Sequence, residues 1–172
     1  MIDDPGSANH LTLVFPELAN KWTELRQKFW DAYHLQLKVT QGLRTYEEQW
    51  EIYAQGRKKD ENGEWYVCDK SKVVTYAKGG ESYHNFGLAL DSAFMGSDPF
   101  LEKLPKAEQA TLWEDYGLLV EKVGLGWGGR FKNPDRPHCE MTFGLPVTKL
   151  QAMFKEGGNK LIWEQCSRKE IA

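Results

Sequence analysis

Apolar residues recur at intervals of three and four from Glu17 to His34, through Leu18, Trp22, Leu25, Phe29, Trp30 and Tyr33. That spacing predicts an amphipathic helix. Leu35-Gln-Leu-Lys-Val-Thr then alternates with period two, as a short strand does. Gly42-Leu-Arg-Thr reads as a turn, with Thr45 as N-cap and Glu48 at the capping-box position of a helix from Tyr46 to Gln55, stopped by Gly56. Residues 58–80 read as an exposed excursion around the turn Asp60-Glu-Asn-Gly, flanked by Trp65-Tyr-Val and Val73-Val-Thr-Tyr. Leu88–Phe94 predicts a strand, and 106–123 a second amphipathic helix with Leu112, Trp113, Tyr116, Leu119 and Val123 on its apolar side. A Gly- and Pro-rich loop fills 124–137, a strand follows over His138–Phe143, and a last helix over Thr148–Lys155 ends at Gly157-Gly158. Helices and short strands mix without a βαβ rhythm, which predicts the α+β class.

The alternation also sorts side chains by face. In the first of the late strands, Asp91 shares a face with Ala89 and Ala93, so one carboxylate stands between two methyl groups, as on the floor of a cleft. In the second, His138, Glu140 and Thr142 form a polar face, and Cys139, Met141 and Phe143 an apolar one. Asp135 lies three residues before His138, across an Arg136-Pro137 step that proline stiffens. His84 sits just upstream of Asp91 in Ser82-Tyr-His-Asn-Phe-Gly. Two imidazoles and a carboxylate are a common three-ligand catalytic zinc set, and a nearby carboxylate such as Asp135 can then take a proton from water. His10, near the terminus, and His34, closing a helix, are weaker candidates. Spacing alone leaves two readings open, a metal site and an ordinary polar surface.

Composition narrows the field. The chain has 172 residues and seven tryptophans, enough for one domain with a sizeable core: a flexible lead-in over 1–10 and a single domain over 11–172. A net charge of -3 gives no reason to expect nucleic acid or an anionic membrane as partner. No apolar run is long enough to span a bilayer. The first residues lack a basic region followed by an apolar stretch, so the sequence predicts synthesis in the cytoplasm without a signal peptide. Cys68, Cys139 and Cys166 are odd in number and far apart, which reads as three reduced thiols, with Cys68–Cys166 the one pairing left open.

The motifs go beyond spacing. Ser82-Tyr-His-Asn-Phe-Gly-Leu-Ala-Leu-Asp91 and Asp135-Arg-Pro-His138 resemble the paired signatures of the M15 (LAS-type) metallopeptidases. Gln41-Gly-Leu-Arg-Thr-Tyr-Glu-Glu-Gln-Trp, Tyr53-Ala-Gln-Gly-Arg and Gly126-Trp-Gly-Gly match in order. Val74-Thr-Tyr-Ala-Lys-Gly-Gly-Glu-Ser-Tyr-His looks like the L-alanyl-D-glutamate endopeptidase branch, which includes phage endolysins. The resemblance covers residues 11–158. It implies a small central antiparallel sheet with flanking helices, the fold shared by Hedgehog and D-Ala-D-Ala peptidases. It implies one zinc ion held by His84, Asp91 and His138, with Asp135 as acid/base and Arg44 steadying the substrate carbonyl or oxyanion. Gln49 would reach the same cleft, and Ser82 would position a ligand, bind substrate backbone or cap a turn.

The implied reaction is peptidoglycan stem-peptide hydrolysis at L-Ala–D-Glu by zinc-activated water. One alternative is a D-Ala–D-Ala carboxypeptidase or dipeptidase; another, of a different class, is a non-catalytic metal-stabilised wall-binding module. The expected partner is the stem peptide, with a monomeric chain, no membrane insertion and, if phage-encoded, a holin for release to the wall. Two features depart from the pattern: 58–72 is longer than in close relatives, and Cys139 stands where an aromatic is common. Strand alternation turns Cys139 into the core as a small apolar residue, which argues against a nucleophile there.

Overall fold

The computed structural model describes residues 4–170. In chain order its elements are α1 (Pro5–Thr12), α2 (Pro16–Tyr33), β1 (Leu37–Gln41), α3 (Tyr46–Ala54), β2 (Arg57–Lys59), β3 (Trp65–Val67), β4 (Ala89–Phe94), α4 (Lys106–Lys122), β5 (Gly126–Trp127), β6 (His138–Glu140) and α5 (Val147–Glu170). Short 3-10 helices occur at Lys70–Lys72, Tyr83–Phe86 and Gly128–Arg130. The chain is α+β, as its pattern predicts. It divides into two compact units, one of the residues up to Leu43 with Gly87–Phe143, the other of Arg44–Phe86 with the residues from Gly144 on.

The first unit is built on a four-stranded sheet in the order β1-β4-β6-β5, antiparallel at every pairing. Of the stripe read from the sequence, Leu18, Trp22, Leu25 and Phe29 are fully enclosed, whereas Trp30 is half-buried and Tyr33, at the end of α2, is exposed. Phe29 meets Phe94 of β4 at 5.6 Å and Tyr116 of α4 at 6.4 Å, and Phe94 meets Trp113 at 5.1 Å. The indole N–H of Trp22 finds the Ser92 hydroxyl at 2.9 Å, so the largest side chain of α2 is buried without an unpaired donor. Each such aliphatic or aromatic burial is worth about 1.5–3 kcal/mol. Of the lead-in expected over 1–10, residues 1–3 lie outside the described residues; from Pro5 on, α1 packs on β1, and Ser7 accepts the Val39 N–H at 2.6 Å.

In the second unit, α3 begins with both hydrogen bonds of the capping box, Glu48 N–H to Thr45 and Thr45 N–H to Glu48. The excursion is a hairpin of β2 and β3 whose tip is held by Asp60 accepting from the Asn62 and Glu64 amides. At its base the Arg57 guanidinium lies 4.1 Å over the Tyr53 ring and donates to the Thr75 carbonyl at 2.9 Å. Helix α5 departs from expectation. Gly157-Gly158 breaks it, with Gly158 at φ 63°, ψ -162°, but helix resumes beyond and buries Ile162 and Cys166. The sequence read the glycines as a stop, whereas the apolar stripe after them carries the chain back into the core. Cys68 is exposed, Cys139 and Cys166 are buried, and all three are free thiols, so the pairing of Cys68 with Cys166 does not form.

Replacing Phe29 by Ala should lower stability by about 3–5 kcal/mol, since both transfer and cavity terms apply. Leu118→Ala, at a position 52% exposed on α4, should change it by less than about 0.5 kcal/mol. Urea unfolding of the two variants measures the difference, and similar values would show that the aromatic cluster does not hold the sheet to its helices.

Candidate metal centre and its supports

Strand β4 lies between β1 and β6, with Asp91 directly opposite His138. Every other residue of β4 is buried, and Asp91 is half-buried at its centre. The Asp91 carboxylate approaches His138 Nδ1 at 3.1 Å, and the Glu140 carboxylate approaches Nε2 at 3.1 Å. The imidazole therefore sits between two acids. Burial works against its charged form, but the hydrogen bonds and charges of Asp91 and Glu140 outweigh that and hold its pKa at about 9. Next to it Cys139 points into the core, as alternation predicts, and burial pushes the thiol up to about 12. A thiol so held is not a nucleophile at neutral pH.

The turn that carries Asp135 into His138 is tied down at successive residues. Asp135 N–H donates to Gly128 O at 2.9 Å, and His138 N–H donates to Asp135 O at 3.2 Å. The Trp127 indole donates to Arg136 O at 2.8 Å, and the buried Tyr116 hydroxyl to Pro137 O at 3.3 Å. The Asp135 residue itself is exposed. Gly128 is required here by space: a Cβ on it would stand 2.4 Å from the Asp135 carbonyl oxygen and 2.8 Å from the His138 Cβ. The strand predicted over His138–Phe143 is shorter, because Phe143 and Gly144 both turn left-handed (φ 52° and 65°) and Phe143 packs edge-on against Phe15.

In the second unit His84 lies in the 3-10 helix Tyr83–Phe86 and is only 3% exposed. Its backbone is fixed at both ends: its N–H donates to Ser82 Oγ at 3.3 Å and its carbonyl accepts from Arg44 N–H at 3.0 Å. Ser82 thus caps this turn. Asn85, which sequence reasoning missed, joins the two segments. Its Oδ1 accepts from the Gly80 and Ser82 amides, and its Nδ2 donates to the Arg44 and Thr45 carbonyls. The Arg44 side chain donates to Gln49 Oε1 at 2.9 Å, and Gln49, fully buried, donates to Ala77 O at 2.9 Å. Gln49 therefore acts on Arg44, orienting its guanidinium.

A family model described as D-alanyl-D-alanine carboxypeptidase, of the M15 peptidases, matches residues 75–141. A curated relative, the peptidoglycan L-alanyl-D-glutamate endopeptidase CwlK of Bacillus subtilis (strain 168), is 38% identical over 108 residues, 60% of this chain and 59% of that protein. Residues 75–141 are thus similar to the M15 peptidases. The M15 segment holds His84, Asp91, Asp135, His138 and Glu140; Arg44 and Gln49 precede it. The chain spans less than two thirds of the length of the relative it matches. Among solved structures, the Serratia marcescens L-Ala D-Glu endopeptidase ChiX aligns with a TM-score of 0.43 and 20% identity, over 80% of this chain and 86% of that one. Among the described residues, no helix is long and apolar enough to cross a membrane.

Gly128→Ala should destabilise the chelator-treated protein by about 1–3 kcal/mol, because the turn must move to admit a methyl group. Its amide resonances at Asp135 and His138 should shift with it. A variant as stable as wild type, with those resonances unmoved, would mean that the turn is looser than its hydrogen bonds imply.

Proposed function

We propose that this chain is a zinc peptidase that cuts the L-Ala–D-Glu bond of peptidoglycan stem peptides. The observation that carries the reading is the pairing of Asp91 with His138 Nδ1 inside the M15 segment. The matched motifs supply two imidazoles and one carboxylate, from His84, Asp91 and His138, a donor set that suits one zinc ion and leaves a position for water. Both imidazoles are buried, which protects such a set from competing solvent. Zinc, when bound there, supplies Lewis acidity, lowering the pKa of a water towards about 7 and polarising a carbonyl.

The chain's own residues do the rest. Asp135, exposed on a turn fixed by four hydrogen bonds, takes a proton from the attacking water as its oxygen joins the carbonyl carbon. As the C–N bond breaks, the same carboxyl returns that proton to the leaving amine. Arg44 presents a guanidinium already oriented by Gln49 to the carbonyl oxygen, which gains charge in the transition state. Preorganisation matters here, since an arginine held before substrate arrives loses no rotamer freedom on engaging it.

The choice of bond rests on the name of the Bacillus relative, whereas the matching family model is described as a D-alanyl-D-alanine carboxypeptidase. Digestion of purified peptidoglycan with mass analysis of the products decides. Fragments with new L-Ala carboxyl and D-Glu amino ends are expected. Release of D-Ala alone would replace the proposed bond with the carboxypeptidase one, and wall binding without new amine ends would leave a binding module.

Asp135→Asn should keep zinc and lose about 10²–10⁴ in turnover, the usual worth of a general acid–base. Arg44→Lys should keep zinc and lose about 10²–10³, as an ammonium lacks the planar fork. Metal content beside steady-state rates checks both. Loss of zinc in Asp135→Asn would make Asp135 a ligand.

A further inference from the structure

Glu140 has no part in the mechanism above, yet its side chain is only 14% exposed and its ion pair is with His138. It ends β6 two residues after His138, on the same face of the strand, opposite Ala89 on one side and Gly126 on the other. A methyl group and a hydrogen there leave the carboxylate room to fold back along the strand, and Oε2 reaches His138 Nε2 at 3.1 Å. The other ring nitrogen faces Asp91 at the same distance. An imidazole can give a metal one nitrogen only when that nitrogen is bare, so its proton must sit on the other. An acceptor fixed at Nε2 keeps a proton there, so that Nδ1, on the edge shared with Asp91, is the nitrogen that would give up its proton to a metal.

We propose that Glu140 is a positioning residue for His138, holding the ring's proton on Nε2 and its plane in place so that Nδ1 and Asp91 meet one zinc ion. The inference rests on the zinc reading above and assigns Glu140 no contact with substrate or metal. The geometry explains why an acid sits there when the strand surface needs none. A carboxylate behind a ligating imidazole both orients the ring and makes it a better donor. It also separates two roles for the acids around His138: Asp135, exposed on its turn, moves protons, and Glu140, pinned against the ring, does not.

The test is chelator-competition titration of zinc into wild type, Glu140→Gln and Glu140→Ala, with 15N spectra of the His138 ring in the zinc-loaded proteins. Loss of an acceptor behind a ligating histidine weakens metal binding about 10–100-fold, and that is the expected loss for Ala. Gln keeps an acceptor oxygen but not the charge, so its loss should be smaller. In the loaded wild type the spectra should show a protonated Nε2 whose exchange with water is faster in both variants. If Ala fails to fold, as thermal melts of the chelated proteins would show, the isosteric Gln decides. Zinc affinity within about twofold of wild type in the deciding variant overturns the proposal, because a supporting shell would have been felt. A wild-type chain that takes up no zinc overturns the metal reading itself, and with it this inference, which distinguishes the two failures.

Discussion

Strand β4 meets β6 with Asp91 opposite His138, and the candidate metal centre rests on that register. A slip of one residue would turn the Asp91 carboxylate to the other face and bring Leu90 or Ser92 in its place, since side chains alternate strictly. The core forbids the slip. Cys139 lies opposite Leu90 on one side and Trp127 on the other, all three buried. The pairing is also closed at both ends, by Met141 N–H to Leu88 O at 2.9 Å and Ser92 N–H to Pro137 O at 3.0 Å. Phe94, at the far end of the strand, is gripped between Phe29 and Trp113. Polar chemistry is thus aligned by apolar packing, and the helices α2 and α4 serve the centre through β4.

The turn before β6 applies the same logic to a segment without regular structure. A loop carrying an acid would ordinarily be among the more mobile parts of a domain. Here Tyr116 and Trp127, both anchored in the core, use their polar tips to hold consecutive carbonyls of the turn. The result is an exposed carboxylate on a fixed backbone, which suits a group that must reach water yet keep its distance from a neighbour. The second unit reaches a comparable end with amides. Asn85 satisfies four backbone groups, and Gln49 spends both ends of its amide on Arg44 and Ala77. Buried networks of this kind rigidify when every member is paired. In each unit the residues proposed to act are outnumbered by those that hold them.

Much of this was legible in the sequence. The period of α2, the capping box of α3, the alternation that turns Cys139 inward and the paired motifs around His84, Asp91, Asp135 and His138 are local signals, set by neighbours a few residues apart. Local signals failed where distant packing outweighed them. The glycine pair in α5 reads as a stop, but Ile162 and Cys166 have core to fill beyond it. The strand after His138 reads as running to Phe143, but Phe143 is drawn towards Phe15, more than a hundred residues away in sequence.

The sequence by itself determined which residues are candidates for the proposed chemistry, because ligands and acids must be particular residue types and their motifs are contiguous. It also determined that His138 and Glu140 share a face, since strand alternation is a property of the backbone alone. Only the tertiary structure decided what those side chains do to one another. That Asp91 meets one nitrogen of His138 and Glu140 the other depends on the register of β4 against β6. That Gln49 orients Arg44, and that Ser82 caps a turn, depends on which backbone the folding chain brings beside each amide and hydroxyl. Partners of this kind are set by long-range packing, in which apolar burial far from the centre fixes the few tenths of an ångström that a hydrogen bond requires.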